Sequence, residues 1–482
     1  IADVLAAQQR RRRAPDAACE AAARLRDPRT VAVVTGQQAG LFGGPLFTLL
    51  KALTAVRLAA EVERDHGVPT VAVFWVEAED HDWNEVRSAT VFDKEMSEAS
   101  VALPARAAGD QSPVGSVCLG QEILTALDQL EAILPPTEFT GDLMTRVRAA
   151  YAPGVGMAEA FARLLEQVLG ERGLVVYDAS DQASKPLVQH LFARELQTPG
   201  ETCGLANAAG DALARDGYHA QVQMPADAVA LFDLDGGRRG IRYEQGDFVV
   251  GDERHAPADF VALAERRPGR FSPNVVLRPV VQDTLFPTIC YVAGPNELAY
   301  LGQLRRVYER FGVPMPLMFP RATVTIADAA TQRFLQKYQL PLEALQPQDD
   351  STLNQLLAAQ IPPIVEESFA SATRAIDEQM TRLIEAMPAL DPTLEGAARS
   401  TLGRMQHDLT TLHSKTIQAA KRRDETLRRQ HARARAVTFP GGHAQERTIG
   451  FIAFQNQYGP ALVDRLMEEL PIDLGQHWVV TI

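Results

Sequence analysis

The sequence predicts an α/β protein in which a parallel-sheet core carries two insertions and is followed by a helical coiled-coil arm. Three observations lead there. Short apolar runs of strand type alternate with helical periodicity through residues 1–345. A glycine-rich turn joins the first of these runs to a helix. Over residues 346–437 the apolar positions settle into a three-and-four rhythm.

Taken in order, Val31 to Val34 reads as a strand and Thr35 to Pro45 as the glycine-rich turn. Pro45 suits a first helical turn, and Leu46, Leu49, Leu50, Leu53, Val56 and Ala60 recur at three- and four-residue steps until Gly67-Val-Pro69 ends the helix. Thr70 to Val76 is a buried strand by its unbroken apolar, β-branched and aromatic content. This is one βαβ unit of a Rossmann-like sheet. Leu174 to Tyr177 and Gln182 to Leu196 repeat the strand and helix pattern. Residues 95–165 read as a mostly helical insertion and residues 200–275 as a β-rich one. The core resumes with Val275 to Leu277 and Thr288 to Ala293, then Gly294-Pro295-Asn296-Glu297 and a helix to about Phe311. In the arm, Thr373, Ile376, Met380, Leu383, Met387 and Leu390 form a heptad seam. Leu402, Met405, Leu409, Leu412, Thr416 and Ala419 form a second, with Pro388 to Pro392 as the break between two helices. Residues 438–482 return to the core and end in a strand, Trp478 to Ile482.

Composition narrows the function. A formal charge of −13 disfavours nucleic acid as a partner. No apolar run approaches the roughly 18 residues of a membrane span, and the Arg-rich start lacks an apolar core, so a cytoplasmic, non-membrane protein is expected. Cys19, Cys118, Cys203 and Cys290 are far apart and form no CxxC pair; they read as buried small hydrophobes, and no zinc site is expected.

Four segments can carry chemistry. The turn holding Gly36, Gln37, Gln38, Gly40 and Gly43 joins a strand to a helix, where backbone N–H groups and the helix dipole suit a phosphate or carboxylate. It lacks the Gly-Lys-Ser/Thr of a phosphate loop and the spacing of a dinucleotide fingerprint, and tight turns need glycine in any case. Glu77 to Glu85 follows the second strand, so in an open parallel sheet it faces the same crevice. There His81, flanked by Asp80 and Asp82, suits a general acid/base or a cationic phosphate partner; the two aspartates suit Mg²⁺; a solvated helix start is the plainer reading. Asn296 and Glu297 again follow a strand and either grip a ligand amine or cap a helix. The basic run Lys421 to Arg435 reads as a solvated face or as phosphate contact. Ser180, Asp181, Ser184 and Lys185 match no nucleophilic arrangement.

Thr35 to Phe42 with Gly44-Pro45-Leu46, Lys51, Phe74-Trp75-Val76, Glu79-Asp80-His81-Asp82, Gly294 to Tyr300, Pro320-Arg321, Gln445-Glu446-Arg447 and Gln457-Tyr458-Gly459 together resemble the bacillithiol-biosynthesis cysteine-adding enzymes. The resemblance implies a core similar to class I aminoacyl-tRNA synthetases, a coiled coil that pairs two subunits into a homodimer, and a ligase joining L-cysteine to glucosaminyl-malate. It further implies ATP or ADP as the nucleotide, with cysteine activated as an adenylate. His81, Asp80 and Asp82 are then the catalytic candidates. Gly36, Gln37, Gln38, Gly40, Gly43, Lys51, Trp75, Glu79, Asn296 and Glu297 are the substrate or phosphate candidates, and Arg435, Arg447 and Tyr458 are the nucleotide candidates near the coil and tail. No HxGH motif is present, and His413-Ser414-Lys415-Thr416 lies within the heptad seam. Two other readings compete: a nucleotidyltransferase or adenylating enzyme with another acceptor, and a non-catalytic nucleotide-binding scaffold built on the coil.

Overall fold

A computed structural model describes residues 1–359, 363–423, 425–470, 472 and 475–481. The chain forms two compact units, one of Ile1–Ile326 with Gln445–Val480, the other Ala327–Ala444.

The first unit is built on five strands, β1 (Val31–Gln38), β2 (Thr70–Glu77), β3 (Val175–Asp178), β4 (Thr288–Ala293) and β5 (Leu317–Pro320). They lie in the order β5-β4-β1-β2-β3 with every neighbouring pair parallel. Such a sheet is Rossmann-like, and its order reverses between β1 and β4. Alternation along the strands explains why the runs are apolar throughout. Val33, Phe74, Val76 and Val176 enter one core with the helix Leu46–His66, while Ala32, Val34, Val73, Trp75 and Tyr177 enter the other, so both faces are buried.

Two expectations from sequence shift by a few residues. β1 does not stop at Val34 but runs to Gln38, because Gly36, Gln37 and Gln38 pair in register with Trp75, Val76 and Glu77. Val275 to Leu277 is a turn and not a strand. The Asn274 side chain accepts from the backbone N–H groups of Val276 and Leu277 at 3.0 and 3.2 Å, and Pro279 then opens the helix Arg278–Leu285.

Between β2 and β3 lie a short helix, Trp83–Val86, a hairpin, Ser88–Phe92 with Glu98–Ala102, and three longer helices, Glu122–Ile133, Thr140–Ala150 and Met157–Leu169. Between β3 and β4, after two further helices, comes a five-stranded sheet of residues 228–273 whose strand pairs are antiparallel. The tail's strand is found at His477–Thr481.

The second unit is helical. Its small core gathers Phe334, Leu345, Leu353, Leu356, Leu357, Leu427 and Ala434. Pro363–Ala386 and Leu394–Arg423 pack on each other, with the break at Met387–Ala389. The seam departs from strict heptads. Ile384 is the buried position of the first helix, whereas Leu383 is 48% and Leu390 84% exposed. The side chains of residues 421–423, the start of the basic run, and residue 424 lie outside what is described.

Candidate active site

The site begins where β1 and β4 part. Their pairing ends at Thr35 and Val292, where the Thr35 hydroxyl donates to the Val292 carbonyl at 2.8 Å, while β1 stays on β2 for three residues more. That frees the Gly36 carbonyl on the crevice side. Lys51, one turn and a half into its helix, reaches back to donate to it at 2.8 Å and to Gln37 Oε1 at 3.1 Å. Gly36 has no room for a side chain: a Cβ would stand 2.8 Å from the Trp75 carbonyl oxygen. Lys51 also forms an ion pair with Glu297. Burial pushes the Lys51 ammonium below its ordinary range, against the pull of Glu297. Burial works against ionised Glu297 too, yet Lys51, the Gly294 N–H at 2.7 Å and the Tyr291 hydroxyl at 2.8 Å together hold its carboxyl below the usual range. Hydrogen bonds tie the pair to Gly36, Gln37, Gly294 and Tyr291.

The second wall is the loop after β2. Glu77 and Trp75 lie two residues apart on one face of the strand, and the indole N–H donates to Glu77 Oε2 at 3.1 Å. Burial raises the Glu77 carboxyl above its ordinary range, with Arg278 at 3.9 Å opposing. Asp80 is partly buried, but donation from Gln38 Nε2 at 2.6 Å, the charge of Arg238 and the His81 N–H at 2.7 Å outweigh that and lower its carboxyl. Glu85 goes the other way, raised by burial and by its neighbours Asp82 and Asp80.

The remaining walls come from distant chain segments. Arg278 donates to Gln282 and Tyr300 at 3.0 and 3.2 Å, and its guanidinium lies 5.8 Å from the Tyr291 ring centre. Arg321 pairs with Glu446 at 2.6 Å and, like Arg447, lies over Phe47. These groups, with Asn296 at the rim, enclose about 360 Å³. Lys51, Arg278, Arg321 and Arg447 face Glu77, Asp80, Glu85 and Glu297, so the cavity offers both signs of charge to one ligand.

The structure thus gathers Gly36, Gln37, Gln38, Lys51, Trp75, Asp80, Asn296, Glu297 and Arg447 around one cavity. It places the others elsewhere. Glu79 is buried in an ion pair with Lys185 and accepts from Ser272 at 3.0 Å. The His81 ring rests against Asp80, with Nδ1 at 3.4 Å from Oδ1, and does not line the cavity. Asp82 is exposed and caps the short helix Trp83–Val86 by accepting from the Glu85 N–H. Among the described residues no group of three or more His, Cys, Asp or Glu could hold a metal ion.

Gly40 and Gly43 belong to the core side of the turn. Tyr151 accepts from the Gly43 N–H at 3.2 Å and donates to the Gly40 carbonyl at 3.3 Å, while the Leu46 N–H at the helix start goes to the Ile449 carbonyl. Those donors are thus committed within the protein. Tyr458 packs beside the first core, and Arg435, in the helical unit, donates to the Asp349 carbonyl at 3.2 Å. Among the cysteines, Cys203 and Cys290 are buried and pushed up to about 12, but Cys118 is exposed. Arg278, Phe47 and Tyr291 are lining residues that sequence reasoning did not select. Glu77 fell within the crevice-facing run Glu77 to Glu85 but was given no role of its own.

Residues 1–322 match the domain described as "Bacillithiol biosynthesis BshC, N-terminal Rossmann-like domain", and residues 324–482 match "Bacillithiol biosynthesis BshC, C-terminal coiled-coil domain". The chain belongs to the BshC family. Among relatives named "Putative cysteine ligase BshC", that of Salinibacter ruber is 37% identical, covering 95% of this chain and 84% of its own. That of Chlorobaculum tepidum is 33% identical over 93% and 82%, and that of Symbiobacterium thermophilum 34% over 98% and 88%. As a BshC member the chain is a ligase of bacillithiol biosynthesis. A solved structure titled as a putative arginyl-tRNA synthetase from Campylobacter jejuni aligns over 87% of this chain and 93% of its own at 10% identity, with a TM-score of 0.24, too low to carry an argument about fold. Among the described residues of this BshC chain, no helix is long and apolar enough to cross a membrane.

Proposed function

We propose that this BshC chain joins L-cysteine to the amine of glucosaminyl-malate, the last step of bacillithiol synthesis, with ATP activating cysteine as its adenylate. The observation that carries the reading is the cavity at the β1/β4 reversal, which brings carboxyl groups and guanidiniums around one small space. A cysteine zwitterion offers an ammonium to Asp80 and Glu77 and a carboxylate to the guanidiniums. In the first step that carboxylate attacks the α-phosphorus of ATP and pyrophosphate leaves. In the second the glucosamine nitrogen attacks the acyl carbon, a C–N bond forms, and AMP departs with the electron pair of the broken C–O bond.

The proton lost by the attacking amine needs a base. Glu77 fits that task better than His81: it lines the cavity, and burial moves its carboxyl toward neutral pH. Asp80 stays charged to hold the ammonium. The Lys51–Glu297 pair fixes the Gly36 carbonyl and the Gln37 amide at the cavity floor. Arg278, Arg321 and Arg447 face the anionic parts, Arg447 being the nucleotide candidate that lines this cavity. Leu383, Met405 and Leu412, all exposed on the helical pair, and Leu390 in the connection between them support a homodimer through the coil.

The test is incubation of the purified protein with L-cysteine, glucosaminyl-malate and ATP. Bacillithiol with equal amounts of AMP and pyrophosphate is the expected result, and a deletion strain should accumulate glucosaminyl-malate. ADP and phosphate in place of AMP and pyrophosphate would replace the adenylate with an acyl phosphate. Normal bacillithiol in the deletion strain would overturn the reading.

A further inference from the structure

The inserted sheet of residues 228–273 meets the loop after β2 through Ser272, which donates to Glu79, and through Arg238, which reaches Asp80. Arg238, in the hairpin between the strands Ala228–Asp233 and Arg239–Glu244, places Nη1 3.4 Å from Asp80 Oδ1 and Nη2 3.4 Å from the Pro273 carbonyl. Its guanidinium stacks 3.9 Å over the Phe232 ring, and its side chain is only 11% exposed. Nε is shut away from solvent with no acceptor among the described residues. The Arg238 backbone N–H donates to the Gln111 carbonyl at 2.9 Å, which ties the loop before Val114 to the same point.

A neighbour shows what an arginine latch looks like here. Arg270 grips Asp233 from the same hairpin with three contacts of 2.7 to 3.1 Å. Arg238 makes no such grip. A guanidinium withdrawn from water for two contacts at the long limit gains little from hydrogen bonding. What it does supply is a positive charge, in a place poor in water, beside Asp80 and within reach of Glu77.

Resting on the ligase reading above, we propose that Arg238 is a positioning residue of the active site, whose charge, delivered by the inserted sheet, holds Asp80 in the cavity wall and keeps Asp80 and Glu77 ionised for the incoming amine. The other groups facing them set the background. Asp80 meets Gln38, the His81 amide and ring, the Asp82 amide and the carboxylate of Glu85; Glu77 meets the Trp75 indole, Arg278 and Glu79. Removal of Arg238 leaves Glu77 with Arg278, and leaves Asp80 with neutral donors, His81 and like charges.

Loss of a cation raises the pKa of a neighbouring carboxyl, so activity that needs the ionised form is lost at a higher pH than before. In Arg238→Gln the acidic limb of kcat/KM should move up by about one pH unit. Activity below that limb should fall about tenfold, while the value near pH 8 stays within a few-fold of the parent. Arg238→Lys keeps the charge and should keep the limb. An unmoved limb in Arg238→Gln, or an equal pH-independent loss in both variants, overturns the proposal in favour of a structural role. Titration of the Asp80 carboxyl by carbon NMR, assigned with Asp80→Asn, gives a readout that needs no turnover. An upward shift in Arg238→Gln supports the proposal even if no amide forms in the ligase assay, in which case the ligase reading alone falls; an unchanged titration overturns the proposal whatever the assay shows.

Discussion

At Glu77 stability and chemistry pull in opposite directions. Burial raises its carboxyl, so the ionised form that a base requires costs the folded state stability at pH values above the ordinary carboxylate range. Glu77→Gln should therefore melt at the same temperature or slightly higher at pH 7, while bacillithiol formation falls by about 10²- to 10⁴-fold, as for other lost acid/base groups. His81→Asn is the control, because its ring stands against Asp80 outside the cavity lining. A strain complemented with His81→Asn at matched protein level should keep its thiol within a few-fold; a loss as deep as that of Glu77→Gln would move the base to His81. Glu297 gives the opposite stability sign. Glu297 is held below its ordinary range, so the stability it contributes is present at neutral pH and lost as pH falls through its folded value. Lys51→Met strands that carboxylate and should cost about 3 to 5 kcal/mol in urea denaturation at pH 7. Glu297 was legible as a candidate because it opens a helix after a core strand, and Lys51 only through the family resemblance. Glu77 was overshadowed by the neighbouring histidine, and Arg278 by its distance along the chain, which only the strand order closes.

The elements read well wherever one local rule governed them. Thr288–Ala293 matches its predicted bounds, and the break after the first arm helix falls at the proline cluster beginning with Pro388. They were misread where two rules competed. Glycine content argued that the turn begins at Thr35, but close approach to Trp75 is another reason for glycine, and β1 runs on to Gln38. The anion expected at the remaining turn meets donors already committed to Tyr151 and Ile449. Gly43 tests this. It has φ of +93°, and a Cβ there would stand 2.2 Å from the Phe451 ring. Gly43→Ala should cost about 1 to 3 kcal/mol or more from strain and overpacking, yet leave ligand affinity of the folded fraction unchanged in calorimetry. Weakened affinity without loss of stability would restore the turn as a binding element.

On the scale of the whole molecule, the strand order explains why residues from β1, β2, β4 and the segments that follow them meet at one cavity although two insertions separate them in sequence. Periodicity could announce the strands but not their order, since parallel neighbours are joined through long crossovers that leave no local mark. The helical unit poses the complementary problem of surface left over. Within one chain the two long helices bury Ile384 and leave Leu383 and Leu412 exposed, Leu412 by 54%, as is Leu390 in the connection between them. The stepping of three and four that sequence reading assigned to one seam is thus divided between a seam inside the hairpin and apolar positions facing outward. If those outward residues meet a second copy, charging them should dissociate it without unfolding either chain. Leu383→Lys combined with Leu412→Lys places two ammonium groups at positions that tolerate exposure in a single chain but would be buried unpaired in a dimer, at several kcal/mol each. Light scattering should then report half the parent mass with unchanged helix content by circular dichroism. The parent mass retained by the double variant would remove the coil from the interface.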